Sequence, residues 1–327
     1  VNFDWTAEGP KLLELLYGVL AFLAVVGVLL LVLDKLPLRK DRWVAAAFLF
    51  PAGALLMIGL IIPAIRTTIL SFQGASTFEA KWVGLDNYKW IFTQREALIT
   101  LRNTLLWVVL VPLIATSIGL IYAVLVDKAR LESFAKALIF MPMAISFVGA
   151  GIIWKFVYAY RPPGEQQIGL LNQIVVWFGG EPRQWLLDSP WNTLFLIVVL
   201  IWIQAGFAMV VLSASIKAIP TEIVEAARLD GVTPWQMFWQ VTIPSIRPAL
   251  IVVLVTITVG TLKVFDIVRA MTSGNFDTSV LAYGMYDYAF VRYDSGKGAA
   301  FAVLLFVLVT PIIIYQIRNL RQQRTIR

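Results

Sequence analysis

The 327-residue chain contains no cysteine and no histidine. These absences remove disulfides, thiolate nucleophiles, Cys/His zinc sites and any histidine base from the chemistry open to it. Charge is also scarce: Asp, Glu, Lys and Arg make up 14% of the residues, well below the share usual in soluble domains. What fills the chain instead is apolar, with 59% hydrophobic residues and a mean hydropathy of +0.80. Such proportions belong to an integral membrane protein. The formal net charge of +7 is read as basic loops beside anionic lipid, not as a sign of nucleic acid. No carboxylate pair or nucleophile–base grouping stands outside the apolar runs, so no catalytic residue and no metal ligand is nominated, and an enzyme is not expected.

Seven apolar runs reach the length of about 20 residues needed to cross a hydrocarbon core: 12–33, 44–65, 104–126, 137–159, 191–216, 249–270 and 298–317. Without water to satisfy the backbone, each is expected to be a helix, and the fold class is all-α. Ile168 to Phe178 is shorter and reads as an interfacial helix.

Lys35, Arg39, Lys40 and Arg42, then Lys128, Arg130 and Lys136, and finally Arg318, Arg321, Arg324 and Arg327 fall on alternate connections, which the positive-inside rule assigns to the cytoplasm. The longer connections 66–98, 160–190 and 271–297 are then external. This places the N-terminus outside and the C-terminus inside. The run 12–33 has no small-residue cleavage site after it and is followed, not preceded, by basic residues, so it reads as a retained extra helix. The expected division is 1–43 for that helix and its basic loop, and 44–327 for the main transmembrane domain.

Pro51, Pro63, Pro112 and Pro142 interrupt four of the runs, as a static bundle or a transport pathway can both tolerate. Gln204, Lys263 and Asp266 are polar residues at depth. A charge there is costly and should face protein or water. Lys263 and Asp266, three apart, could neutralise each other on a helix, or Lys263, Gln204 and Thr256 could line a solvated cavity.

One polar insert stands out, EAARLDGVTPWQMFWQVTIP, from Glu225 to Pro244. Pro220 and Glu222 suit the start of a helix that runs to about Asp230, and Gly231 suits the left-handed residue just past its end. Thr233 can cap a second helix, with Pro234 at its first position and Trp235, Phe238 and Trp239 on one face. Pro244 and Pro248 are expected to block a continuous helix back into the membrane. Ala226 and Ala227 leave the first helix free for close approach by another surface. Its slightly acidic balance argues against a DNA-binding helix-turn-helix, while an interfacial anchor and a docking knob for a cytoplasmic partner both remain open on these grounds.

The insert resembles the EAA loop of binding-protein-dependent ABC importer permeases of type I. Glu225, Ala226 and Ala227, then Gly231 after three residues, and Val241, Ile243 and Pro244 after nine more fill that pattern. Lys217 to Gly231 and Trp82 to Tyr88 resemble the carbohydrate branch, nearest the maltose and alpha-glucoside permeases, and the resemblance covers residues 44–320. It implies a multi-pass protein of the prokaryotic plasma (inner) membrane with an extra N-terminal helix before a six-helix core. The implied partners are a second permease subunit, two ATP-binding subunits, an extracytoplasmic solute-binding protein and membrane lipid, with a sugar, an oligosaccharide or alpha-glucoside, as substrate. ATP and Mg would be bound by the ATPase subunits, with no cofactor in this chain. The loop at 217–248 would couple to the ATPase through Glu225, Ala226, Ala227, Asp230, Gly231 and Pro244. Alignment with maltose-type permeases brings Gln204, Phe207, Thr256, Gly260 and Lys263 onto pocket positions. Gly260 and Lys263 depart from that pattern, so maltose is not assumed. SGKG at 295–298 lacks the rest of a P-loop and is read as a turn. The alternative from another class is an ion-coupled secondary transporter using Lys263 and Asp266.

Overall fold

Backbone deprived of water must pair with itself, and the chain meets that demand with helices: no named strand occurs among the described residues. The structure, a computed structural model, describes residues 5–35, 41–75, 81–127 and 131–325. Arg39, Lys40, Lys128, Arg130 and Arg327 lie outside the described residues, as do the side chains of Lys35, Arg42, Arg321 and Arg324. The chain divides into two units, Val1–Arg66 and Thr67–Arg327. The first carries α1 (Trp5–Lys35), α2 (Asp41–Leu56), a π segment (Met57–Ile61) and the start of α3 (Ile62–Leu70). Pro51 sits inside α2, and Pro63 directly follows the π segment, whose wider turn accommodates a residue with no N–H in a continuous helix.

The second unit begins with α4 (Asp86–Thr93), α5 (Arg95–Val126), α6 (Glu132–Phe140), α7 (Phe147–Val157) and α8 (Leu170–Trp177). It continues through α9 (Asn192–Lys217), α10 (Thr221–Leu229), α11 (Pro234–Gln236) and α12 (Ile243–Leu262), and ends with α13 (Asp266–Met271), α14 (Leu281–Tyr286) and α15 (Ser295–Thr325). Its centre is the packing of α5 on α9, against which α12 lies. Ala115, Gly119 and Ala123, at four-residue spacing on α5, are all buried against α9. A Cβ on Gly119 would stand 2.4 Å from the Ala208 methyl and 2.8 Å from the Met209 nitrogen. Small residues thus let the two backbones approach, which is how helices associate without a hydrophobic driving force between them.

Five helices among the described residues are long and apolar enough to cross a membrane, six if a bent pair counts as one span. That pair is the expected run 137–159: α6 and α7 meet at 101°, with Pro142 in the 3-10 turn Met141–Ala144 between them and Ser146 capping α7. These six overlap the expected runs from 44–65 to 298–317. On α1, the apolar stretch among the described residues is Leu12–Val28. The expected interfacial helix is α8, eight residues long.

Two departures have clear causes. Pro244 and Pro248 do not break the return to the membrane: Pro234–Leu262 is one helical run. A π segment, Met237–Thr242, precedes Pro244, and the N–H of Ile243 reaches back five residues to the carbonyl of Phe238. The wider turn accommodates a proline that a strict α ladder would resist. In contrast, the run 249–270 is not one helix, because α12 stops at Leu262 and α13 starts only at Asp266.

Residues 271–297, expected as a loop, fold back as α14 and a third π segment, Asp287–Val291, burying Val280, Leu281, Ala282 and Tyr283. Two fully buried asparagines hold the turn before α14. Asn103 Nδ2 donates to the carbonyls of Asp277 (2.6 Å) and Ser279 (3.0 Å), and Asn192 Nδ2 to that of Phe276 (2.7 Å). They fix a turn in which Ser273, Phe276 and Asp277 all take positive φ. Beyond it, the Tyr288 hydroxyl donates to Glu96 (2.7 Å), and burial followed by that bond pushes its pKa well above the usual tyrosine range.

Candidate functional site

The polar insert folds as two helices joined by a tight corner. Pro220 enters as the N-cap of α10, Glu222 lies in its first turn, and Asp230 is the C-cap. The N–H of Gly231 donates to the Arg228 carbonyl (3.1 Å) and that of Val232 to the Ala227 carbonyl (3.3 Å), the crossed pair of a Schellman ending. Gly231 has φ +75° and nothing around it, so glycine is required there by backbone conformation, not by crowding. Thr233 then caps α11 with Pro234 behind it. The N–H of Thr233 donates to Gln236 Oε1 (2.8 Å) and the N–H of Gln236 to Thr233 Oγ1 (3.3 Å), a reciprocal capping box that two orphan donors need.

The corner presents a surface. Glu225, Ala226, Asp230, Gly231 and Pro244 are exposed and Ala227 is half-buried. Leu229 is 88% exposed and Trp235 71%, with Ile223 and Trp239 about half exposed beside them. Trp235, Phe238 and Trp239 form a mutual ring cluster, the two indoles 5.6 Å apart. These large apolar side chains, held in a capped frame, are left open to a partner surface or to lipid.

The pathway candidates lie on two packed helices, α9 and α12. On α12, Thr256, Gly260 and Lys263 are spaced four and three apart, share one face, and are all exposed in the chain. A Cβ on Gly260 would meet nothing within 4 Å. Hydrogen bonding separates Thr256 from its neighbours. Thr258 donates to the Leu254 carbonyl (2.7 Å) and Thr261 to that of Ile257 (2.8 Å), whereas Thr256 has no such partner among the described residues. The half-buried Gln204 amide on α9 is equally unpartnered among the described residues, and half-buried Phe207 lies one turn further on. Lys263 is the C-cap of α12, not a mid-helix residue. The break before Asp266 removes the helical i,i+3 geometry expected of the two, and no salt bridge joins them among the described residues.

Residues 115–327 match the family described as "Binding-protein-dependent transport system inner membrane component". The chain belongs to that family. It is a non-catalytic membrane subunit of an ABC importer, and the ion-coupled alternative is set aside. The permease is 50% identical over 281 residues to the osmoprotective compounds uptake permease protein GgtC of Synechocystis sp., covering 86% of this chain and all of that one. It is 49% identical over 273 residues to the alpha-glucoside transport system permease protein AglF of Rhizobium meliloti, covering 83% and 81%. Its fold matches a solved chain of a bacterial ABC transporter that imports the acidic polysaccharide alginate, with a TM-score of 0.72 at 23% identity over 86% of this permease and 96% of that chain.

Sequence reasoning located the bend between Asp230 and Pro234, because caps are local. It did not anticipate the Gln236 half of the capping box, although the T-x-x-Q spacing from Thr233 carries that signal. Nor did it find Asn103 and Asn192, whose partners lie 174 and 84 residues away.

Proposed function

We propose that this permease forms half of the translocation pathway of an ATP-driven importer of alpha-glucosides. The observation that carries the reading is the open face of α12. It offers an unbonded hydroxyl (Thr256), a bare backbone (Gly260) and an ammonium (Lys263), with the Gln204 amide on the neighbouring helix. Sugar hydroxyls accept and donate to such groups, and Phe207 supplies an aromatic surface for a ring's C–H side. A polar stripe of this kind belongs against water, substrate or protein, not lipid. Of the two relatives about half identical, the one named for alpha-glucosides supports that substrate class, and the other is named for osmoprotective compounds.

In this reading a second permease subunit completes the cavity, two ATP-binding subunits hold ATP and Mg below it, and an external solute-binding protein delivers the sugar. Glu225, Ala226, Ala227, Asp230, Gly231 and Pro244 form the surface that rests on the ATPase. Residues 44–327 are the permease domain and 1–43 an added helix, in the inner membrane with the N-terminus outside and the C-terminus in the cytoplasm.

The test is uptake of a labelled alpha-glucoside into vesicles carrying the whole complex. Uptake should require ATP on the ATPase side and the binding protein on the other. Thr256→Val should raise the substrate concentration for half-maximal uptake several-fold, while Thr258→Val, whose hydroxyl is already bonded to the chain, should not. Equal effects of the two, or uptake driven by an ion gradient without ATP, would refute the reading.

A further inference from the structure

The second unit contains a polar cluster remote from the α12 face. Lys136 Nζ donates to Asp127 Oδ1 (2.7 Å), to Glu132 Oε1 (2.7 Å) and to the Ser213 hydroxyl, using all three of its donors. The Ser213 hydroxyl in turn donates to Asp127 Oδ1 (2.7 Å). Lys217 donates to Glu132 Oε1 as well. Two acids face two bases, so the cluster is neutral as a whole.

Its layout follows from helical spacing. Glu132 and Lys136 stand four apart on α6, and Ser213 and Lys217 four apart on α9, so each pair shares a face. The partners cross over: 132 meets 217, and 136 meets 213. This is a two-rung ladder between antiparallel helix ends, and Asp127, the C-cap of α5, closes it from a third helix. A carboxylate at a helix C-terminus is unfavourable by itself, and Lys136 offsets it. Ser213 is buried, and the Asp127 side chain is only 13% exposed, so this end of the cluster is shielded from water and salt. Higher on the same pair of helices, a Cβ on Gly206 would lie 2.4 Å from the Ile139 carbonyl, so α6 is seated on α9 at a second point.

Lys217 is the last residue of α9, and Pro220 caps α10 three residues later. We propose that Asp127, Glu132, Lys136, Ser213 and Lys217 form an ionic joint at the root of the coupling corner. The joint makes the ends of α5, α6 and α9 move with α10 as one body when the ATPase displaces it. These are positioning residues, and the proposal rests on the coupling role given above.

The chain's lack of cysteine allows a direct test. In the complete complex, Glu132→Cys with Lys217→Cys removes the ion pair, and the ratio of stimulated to basal ATP hydrolysis, measured with binding protein saturated by an alpha-linked glucose disaccharide, should fall about three- to tenfold. A flexible bifunctional thiol reagent as long as the two side chains it replaces should join the cysteines and restore the ratio, whereas two monofunctional caps of the same chemistry should not. A double-cysteine complex as well coupled as the native one, or a crosslinked complex that stays uncoupled, would each overturn the joint. A native complex whose hydrolysis ignores the loaded binding protein would refute the functional reading instead, while crosslinking of the two positions would still report on the joint's geometry.

Discussion

Glycine-to-alanine substitution should have opposite signs at two helical positions of this permease. At Gly119 the added methyl would enter at 2.4 Å from the Ala208 Cβ, 2.8 Å from the Met209 nitrogen and 2.9 Å from the Ala205 carbonyl. Two of those three atoms are backbone, so α9 itself must move. Overpacking of this kind costs about 1–3 kcal/mol, against a helix-propensity gain of about 0.5–1 kcal/mol for replacing glycine. The clash wins, leaving a net loss of about 1–2 kcal/mol. Gly260 meets nothing, so the gain stands alone there. At about 2–4 °C per kcal/mol for a unit of this size, Gly119→Ala should lower the thermal midpoint by about 2–8 °C, and Gly260→Ala should raise it by about 1–4 °C. The measurement is the fraction of purified permease that stays monodisperse on size exclusion after heating. A Gly119→Ala protein as stable as the native one, or a Gly260→Ala protein that loses as much, would show that α5 and α9 do not cross at this separation.

Two further outcomes follow from the corner and from the external turn. Gly231→Val forces a β-branched residue to φ +75° and should lower stimulated ATP hydrolysis of the complex several-fold with the protein still in the membrane, while Gly231→Asn, which tolerates that conformation, should retain most of it. Asn103→Leu strips the donors from two carbonyls at a cost of about 1–3 kcal/mol each where they remain buried, so it should lower the thermal midpoint and speed proteolysis between residues 273 and 279; unchanged cleavage would refute the pinning role.

Much of the polar corner could be read from residues 217–248 because capping is a short-range matter. A proline, a glycine of positive φ and a Thr-x-x-Gln box act within one helical turn. The pathway was harder. Polarity at depth picked out Gln204, Thr256 and Lys263, but the sequence cannot distinguish Thr256 from Thr258 and Thr261, which look alike until the hydrogen bonds are drawn. Proline rules misled at Pro244, because π widening is a property of the whole turn.

Composition and hydropathy by themselves determined that this chain is helical and membrane-embedded, since unbroken apolar runs of about 20 residues can pair their own backbone in lipid only as helices. The same string, through its caps, determined where the polar corner bends. Only tertiary packing decided that Gly119 and Ala208 touch, that Thr256, Gly260 and Lys263 face outward, and that Asp127 meets Ser213 across 86 residues. Those outcomes depend on how helices fit side by side, and no residue carries that information in its own neighbourhood.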